Sequence, residues 1–455
     1  MVKTSQENAL ASPLDRLLYG SPLHQIGGKV VFILIMLAMI LLSACERQAG
    51  EQPTTEATAV LTEEPIIAEP TVEAVVEPTA ESAEESAADT TSAAALPPEW
   101  DQLLNDWISP DSVFCDAPGG VLLVDSPDGR FVQAAGVASL DDQRPLTIND
   151  RFEIGSITKS FTAVLALQLQ EEGMLSMDDP LSKWLPDLAA SIPNGEQMTL
   201  RQIAQHQAGL ADYEEPLIDT PLAEGDLSGL EREYSAAELV QWVIENQEPP
   251  FTPGEAGQFQ YSNTGYLLLG MVLEAATGET EADLLQERIF GPLAMENTIY
   301  LEDSPEPGTI VSGYSTIVSG EQVDVTNWNA VQAGAAGAIA STVEDLALYS
   351  HALLAGELFN EDATLEEMLS LAPADGDPFA EYGLGVGSFG SPAVPNIGHA
   401  GGTPGFQTSW FYVPEAETTI IFFTNSSSCN AGFLPFLLQP EIFGLDAAAP
   451  PAAEE

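Results

Sequence analysis

Residues 46–98 contain no aromatic side chain, and their Glu, Thr, Ala, Pro and Val run in repeating fragments such as Glu69-Pro70-Thr71 and Glu77-Pro78-Thr79. Such a segment repels itself, is broken by Pro at short intervals, and lacks the apolar surface to offset its ordering entropy. It reads as a disordered acidic Pro/Thr/Glu linker, an extended spacer. The consequence is that a folded body has to be built from residues 99–445, ahead of an Ala/Pro/Glu tail at 446–455. With 45% hydrophobic residues, 37 Gly and 33 Pro in a chain of 455, there is enough apolar material for a sizeable core and no fibrous bias.

An apolar run from Val30 to Leu42 follows Lys29 and ends in Leu42-Ser43-Ala44-Cys45. A cation, an apolar stretch and small residues, in that order, make a secretory signal. The thirteen apolar residues fall short of the roughly 20 that a bilayer span needs. The closing tetrapeptide resembles a bacterial lipobox, so cleavage before Cys45 with lipid on its sulfur is the expectation. Residues 1–45 are then an N-terminal extension and lipoprotein signal peptide, and the body is lipid-anchored at the outer, extracytoplasmic face of a bacterial membrane. The 28 residues ahead of Lys29 are long for such a signal; a later true start and a cytoplasmic extension both account for them.

Twelve basic residues against 70 acidic ones give a formal charge of -58. A chain so acidic repels a phosphate backbone, which excludes nucleic acid as a partner.

Within the body, Gly120 to Val124 and Arg130 to Ala138 flank a turn from Asp125 to Gly129 and read as a β-hairpin. A second hairpin is expected near the other end, where Gln407 to Val413 and Thr418 to Thr424 flank Pro414-Glu415-Ala416-Glu417. Helical spacing marks Ser160 to Glu172, stopped at Gly173, and then Ala236 to Asn246, Gly265 to Thr277 and Val343 to Leu354. Strands at both ends with helices between predict an α+β fold: an antiparallel sheet formed by N- and C-terminal strands and covered by helices.

Gly155 precedes Ser156-Ile157-Thr158-Lys159 at the start of a helix expected to be amphipathic, which puts the hydroxyl and the ammonium on one face. A serine hydroxyl is a weak nucleophile until a base takes its proton, and a lysine serves when burial or nearby charge lowers its pKa. Ser-x-x-Lys alone is common. Beyond Lys29, however, the chain has only Lys159 and Lys183, which makes the placement less casual. Tyr261-Ser262-Asn263 precedes another apolar helix; a tyrosine oxygen near an ammonium can pass a proton to a leaving group, and an asparagine amide can orient a carbonyl. His399-Ala400-Gly401-Gly402 sits in a Gly-rich turn before the last hairpin, where the Gly402 N–H can join that of Ser156 in holding an oxyanion.

Taken in order, Ser-x-x-Lys, Tyr-x-Asn and His-x-Gly resemble the serine penicillin-recognising family of class C β-lactamases, D-alanyl-D-alanine carboxypeptidases, D-aminopeptidases and related esterases. Arg151 to Ser156, Arg201-Gln202-Ile203 with His206 to Leu210, Tyr261 to Thr264 and Tyr382 to Val386 look like its secreted DD-peptidase branch. The resemblance implies a β-lactamase/transpeptidase-like fold with an all-helical subregion. It makes Ser156 the acylated nucleophile, Lys159 and Tyr261 the proton carriers, and Asn263, His399 and Gly402 the substrate contacts. It leaves open whether Lys159 is itself the base or lowers the pKa of Tyr261.

Some positions depart from that pattern. His399 stands where β-lactamases have Lys, and Ala400 and Gly402 stand where peptidases have hydroxyl residues. The chain has no Lys or Arg after Arg288, although holding a substrate carboxylate ordinarily takes a cation or several donors. Of the candidates for that task, His399 and Thr403 remain. The preferred reading is therefore a serine hydrolase acting on a small ester, amide or peptide. The alternatives are a β-lactamase or DD-carboxypeptidase, and a catalytically silent membrane-tethered binding module.

His206 reads as structural, His351 as a helix residue without partners, and Trp328 with Gly334 and Gly337 as either pocket wall or packing. Four histidines without paired ligand spacing imply no metal, and no cofactor is expected. With Cys45 modified, Cys115 and Cys429 remain. Export favours oxidation, and neighbouring terminal strands would bring the two together as a disulfide.

Overall fold

The computed structural model describes residues 99–109, 115–226, 232, 234–302, 308–317, 320–326, 330–374, 379–389 and 394–429. The signal, Cys45, the linker, Trp328 and the tail lie outside these residues. Chain order gives α1 (Glu99–Trp107), β1 (Gly119–Ser126), β2 (Gly129–Gly136), β3 (Phe152–Glu153), α2 (Thr158–Glu171), α3 (Ala236–Asn246), α4 (Asn263–Thr277), β4 (Ile299–Tyr300), β5 (Tyr314–Ser315), β6 (Val323–Asp324), β7 (Ile339–Ser341) and α5 (Val343–Leu354). The strands β8 (Ala372–Pro373), β9 (Glu381–Tyr382), β10 (Gly387–Ser388), β11 (Ile397–Thr403), β12 (Phe406–Val413) and β13 (Thr418–Thr424) follow, with short helices interspersed.

Eight strands form one antiparallel sheet in the order β2-β1-β13-β12-β11-β10-β9-β8. The first strand pairs with the last, Val121 facing Phe423 and Leu123 facing Ile421. Side chains alternate across a strand, and here both faces are covered. Val121, Leu123, Trp410, Ile421 and Phe423 join the core with α2 and α5, whereas Leu122, Val124, Phe411, Ile420 and Phe422 pack with Leu104 and Trp107 of α1. This explains why Thr418–Thr424 is buried at every position. Ring contacts fix the deeper layer: Phe161 stacks on Tyr349 at 3.7 Å between centroids, and Tyr349 meets the Trp410 ring edge-on at 5.8 Å. Full burial of each such side chain contributes about 1.5–3 kcal/mol.

The structure shows the α+β architecture, with a helical subregion between β3 and β4. It differs from the sequence expectation in two places that matter for the site. The helix carrying Lys159 is not amphipathic, because Thr158 to Leu167 are buried on all sides between the sheet, α4 and the segment Ala330–Ala336. Residues 397–403 form a strand, not a turn. Their glycines are needed for packing: a Cβ on Gly401 would lie 1.9 Å from the Ile154 carbonyl oxygen.

Cys115 and Cys429 are joined as a disulfide, with 4.2 Å between Cα atoms, just outside the paired terminal strands. His351 is not without a partner: its Nε2 lies 3.3 Å from Asp125 on β1.

Candidate active site

Gly155, at φ +50°, turns the chain from β3 into the short turn Gly155–Ile157 that carries Ser156. Only glycine fits there, since a Cβ would fall 2.7 Å from the Gly402 carbonyl oxygen and 2.9 Å from its nitrogen. That close approach sets the exposed Gly402 backbone of β11 beside the residue preceding Ser156.

Lys159 is fully buried, and its Nζ donates to Ser156 Oγ at 2.8 Å, Asn263 Oδ1 at 2.6 Å and the Ala336 carbonyl at 2.8 Å. Burial pulls its pKa down to about 7, against the raising pull of the Glu214 and Asp212 carboxylates. The partners decide what happens on deprotonation. Two of the three, a carbonyl and an amide oxygen, can only accept, so a neutral amine keeps its two hydrogens on them and turns its lone pair to the Ser156 hydroxyl.

Tyr261 shares a hydrogen bond with the Ser156 side chain, and its ring centroid is 4.9 Å from Lys159 Nζ. Burial holds its phenol well above the usual tyrosine range, so it stays a proton donor and does not act as a tyrosinate base. Of the two roles left open by the sequence, this geometry favours the lysine as base.

Tyr261-Ser262-Asn263 is positioned by the loop at residues 206–214. His206 Nδ1 accepts from the Ser262 N–H at 3.1 Å, and the His206 carbonyl accepts from Gln260 N–H at 2.9 Å, so both neighbours of Tyr261 are held. The His206 ring lies 4.3 Å from that of Tyr261. Ser262 caps α4 through Gly265 N–H and donates to the Ala211 carbonyl. Asn263 Nδ2 donates to Asp212 Oδ2 at 2.9 Å and to Glu214 Oε2. Both carboxyls are pushed up by burial, Glu214 to about 8 with the Asp212 charge adding to the effect.

Ser156, Lys159, Tyr261, Asn263 and Gly402 are thus brought together, but two expected substrate contacts differ. Every polar atom of the Asn263 amide is already engaged, by Lys159, Asp212 and Glu214. His399 is 1% exposed, with Nδ1 2.5 Å from the Ala400 carbonyl and Nε2 2.9 Å from the Tyr382 hydroxyl. A carbonyl cannot donate, so Nδ1 carries the proton and Nε2 accepts from Tyr382. Burial, and next the Lys159 charge, lower its pKa to about 3, so it offers a substrate neither a cation nor a free donor. It belongs to the wall formed with Tyr382, Phe379 and Tyr261.

Sequence reasoning passed over Asp212, Glu214 and Ala336. Asp212 and Glu214 lie within four residues of Leu210, close behind a stretch that already resembles the family, and that proximity is a usable signal. A backbone carbonyl such as that of Ala336 leaves no trace in a sequence.

A serine bonded to a buried lysine one helical turn on, with a tyrosine and an asparagine from the start of a second helix and a glycine strand alongside, defines a serine hydrolase of the penicillin-recognising type. A model of the Beta-lactamase family matches residues 111–433, and the chain belongs to that family. It is 28% identical over 319 residues to penicillin-binding protein 4* of Bacillus subtilis (strain 168), covering 68% of each chain. It is also 28% identical over 319 residues to a D-aminopeptidase of Cereibacter sphaeroides, covering 69% of this chain and 58% of that one. Its fold matches a D-stereospecific amidohydrolase from Streptomyces sp. at a TM-score of 0.61 and 31% identity, over 69% of this chain and 90% of that structure.

Proposed function

We propose that this hydrolase works through an acyl-enzyme on Ser156, at the outer face of a bacterial membrane to which lipid on Cys45 ties it, and cleaves small amides or peptides with a free amino group beside the scissile carbonyl. The observation that carries the chemistry is the Lys159 to Ser156 contact of 2.8 Å, because the other two partners of Nζ are obligate acceptors. Neutral Lys159 takes the Ser156 proton as Oγ attacks the carbonyl carbon. The oxyanion is met by the N–H groups of Ser156 and Gly402. Tyr261 gives its proton to the departing amine and is refilled from the Lys159 ammonium; water then reverses the sequence to release the acid.

The substrate class follows from local charge. Around Lys159 the ionisable groups are the carboxyls of Asp212 and Glu214, both bonded to Asn263, with His399 neutral. Lys159 is spent on catalysis and His399 is neutral, which leaves neither as a cation for the carboxylate that penicillins and D-Ala-D-Ala peptides present, while the acidic pair favours an ammonium over an anion. The D-aminopeptidase and D-stereospecific amidohydrolase among the relatives extend the reading to D-configured residues.

Turnover of D-alanine p-nitroanilide and its N-acetylated form by the full chain, alongside Ser156→Ala, tests the reading. Hydrolysis of the free amine alone, lost in the variant, is expected; equal rates on the acetylated form would overturn the substrate class, and activity in Ser156→Ala the mechanism. Incorporation of a labelled fatty acid into the full chain, lost in Cys45→Ala, is the outcome expected for the anchor, and an unlabelled wild-type chain would overturn it.

A further inference from the structure

Behind the Ser156 and Lys159 pair lies a buried carboxyl that this chemistry does not use. Glu281 opens the short helix Glu281–Leu285 and is 4% exposed. Its Oε2 accepts from the Tyr300 hydroxyl at 2.9 Å, and its Oε1 is 2.8 Å from Thr162 Oγ1 on α2. The same Thr162 hydroxyl is 2.8 Å from the Ala335 carbonyl oxygen. The next carbonyl along, that of Ala336, holds Lys159 Nζ.

A hydroxyl owns one proton and can donate once. With Glu281 ionised, both short contacts of Thr162 are to pure acceptors, and one must go without a hydrogen. The conflict vanishes when Oε1 carries a proton: Glu281 donates to Thr162, and Thr162 donates to Ala335. The remaining acceptor in reach, the Thr158 carbonyl, is farther away at 3.4 Å. The carboxyl also has little room to turn aside, since a Cβ on Gly270 of α4 would lie 3.2 Å from Oε2 and 2.6 Å from the Ala335 Cβ.

The groups around it favour the neutral acid. Burial raises its pKa and the carboxylate of Glu274 on α4 adds to this, against the hydrogen bonds from Thr162 and Tyr300, leaving it at about 7. Tyr300 on β4 stays protonated, raised by its own burial and by Glu281, Glu274 and Glu302. From α2 and the Ala335 segment the facing groups are the neutral Thr162 hydroxyl and a backbone carbonyl.

The geometry points to Glu281 as a positioning residue for Lys159, acting as the protonated acid through Thr162 and Ala335 to seat the Ala336 carbonyl that fixes the lysine against Ser156. The inference rests on Lys159 serving as the base at Ser156. Ionisation of Glu281 turns the Thr162 hydroxyl toward Oε1, leaves the Ala335 carbonyl without its donor, and loosens the strap holding Nζ. The link gives the enzyme an alkaline limit that does not come from any group touching the substrate.

The test is the pH profile of kcat and KM for the full chain beside Glu281→Gln, Glu281→Leu and Thr162→Val. A glutamine amide donates to Thr162 at every pH and still accepts from Tyr300, so Glu281→Gln should keep kcat near pH 6 while lacking the wild-type decline above about pH 7. Glu281→Leu should lower kcat about tenfold or more with KM little changed, as expected for a displaced base. Thr162→Val cuts the relay at its middle and should remove the alkaline decline even if Glu281→Gln fails to fold. An infrared carboxylic-acid band that titrates near neutrality, absent from Glu281→Gln or, should that variant not fold, from Glu281→Leu, is the accompanying signature. Identical profiles in wild type and the folded variants overturn this role alone. Absence of Ser156-dependent turnover in wild type removes the parent mechanism and this inference with it.

Discussion

His206 accepts the Ser262 amide hydrogen at 3.1 Å while its ring lies 4.3 Å from that of Tyr261, so one side chain fixes both the backbone and the aromatic face of the proton donor. His206 adopts φ +58°, a left-handed conformation that Asn tolerates better than other side chains, and an Asn oxygen sits where the imidazole Nδ1 does. His206→Asn should therefore retain most of kcat, whereas His206→Leu should lose about 100-fold through misplacement of Tyr261. Steady-state kinetics on the two variants decide the matter, and equal losses would show that the acceptor is irrelevant.

Lys159 titrates together with Asp212 and Glu214, and the acid limb of kcat/KM should report that cluster with an apparent midpoint near 7. Activity rises with pH there because the base must lose its proton. The Glu214 charge raises the lysine pKa, so Glu214→Gln should move the limb to lower pH. A shift to higher pH contradicts this electrostatic account.

Gly401 leaves no room for a methyl group, with Ile154 O at 1.9 Å and Thr408 Oγ1 at 2.5 Å from the position of a Cβ. Gly401→Ala should cost about 2 kcal/mol of stability by overpacking. It should also lower kcat more than it raises KM, because β11 is pushed off the turn bearing Ser156. Thermal melts and kinetics read the two effects separately, and unchanged kcat in a folded variant would detach Gly402 from the oxyanion role.

The Cys115 to Cys429 disulfide spans 314 residues of sequence. Closing so long a loop restrains the unfolded chain by up to about 5 kcal/mol. Reduction should lower the melting temperature while leaving turnover intact below the new midpoint, since the bridge lies with Ala117 and Ile108, in a cluster apart from Ser156. Differential scanning calorimetry with and without reductant measures it.

Both terminal hairpins were legible because their alternating residues serve two buried faces, and Ala236–Asn246 and Val343–Leu354 match residue for residue because each starts behind a hydroxyl cap, Ser235 and Thr342. Within the site, Ser156, Lys159 and Tyr261 were legible as types suited to one reaction. Residues 397–403 form a strand where the sequence predicts a Gly-rich turn, because glycine carries the same letter whether it turns a chain or admits a neighbour. Asn263 and His399 read as substrate contacts in the sequence because their side chains can hydrogen-bond. What they bond to depends on Asp212, Lys159 and Tyr382, which lie 17 to 104 residues away in sequence. Relations across such distances are set by the fold and by nothing local.

The pairing of β1 with β13 imposes an order on biogenesis. Residues 119–126 leave the ribosome about 300 residues before the strand that completes their hydrogen bonding, so the nascent chain carries an open sheet edge through about two thirds of its synthesis. The sheet cannot be completed until that last strand arrives. Under the export proposed above, such a delay would keep the sheet from closing before the chain has passed through a translocation channel.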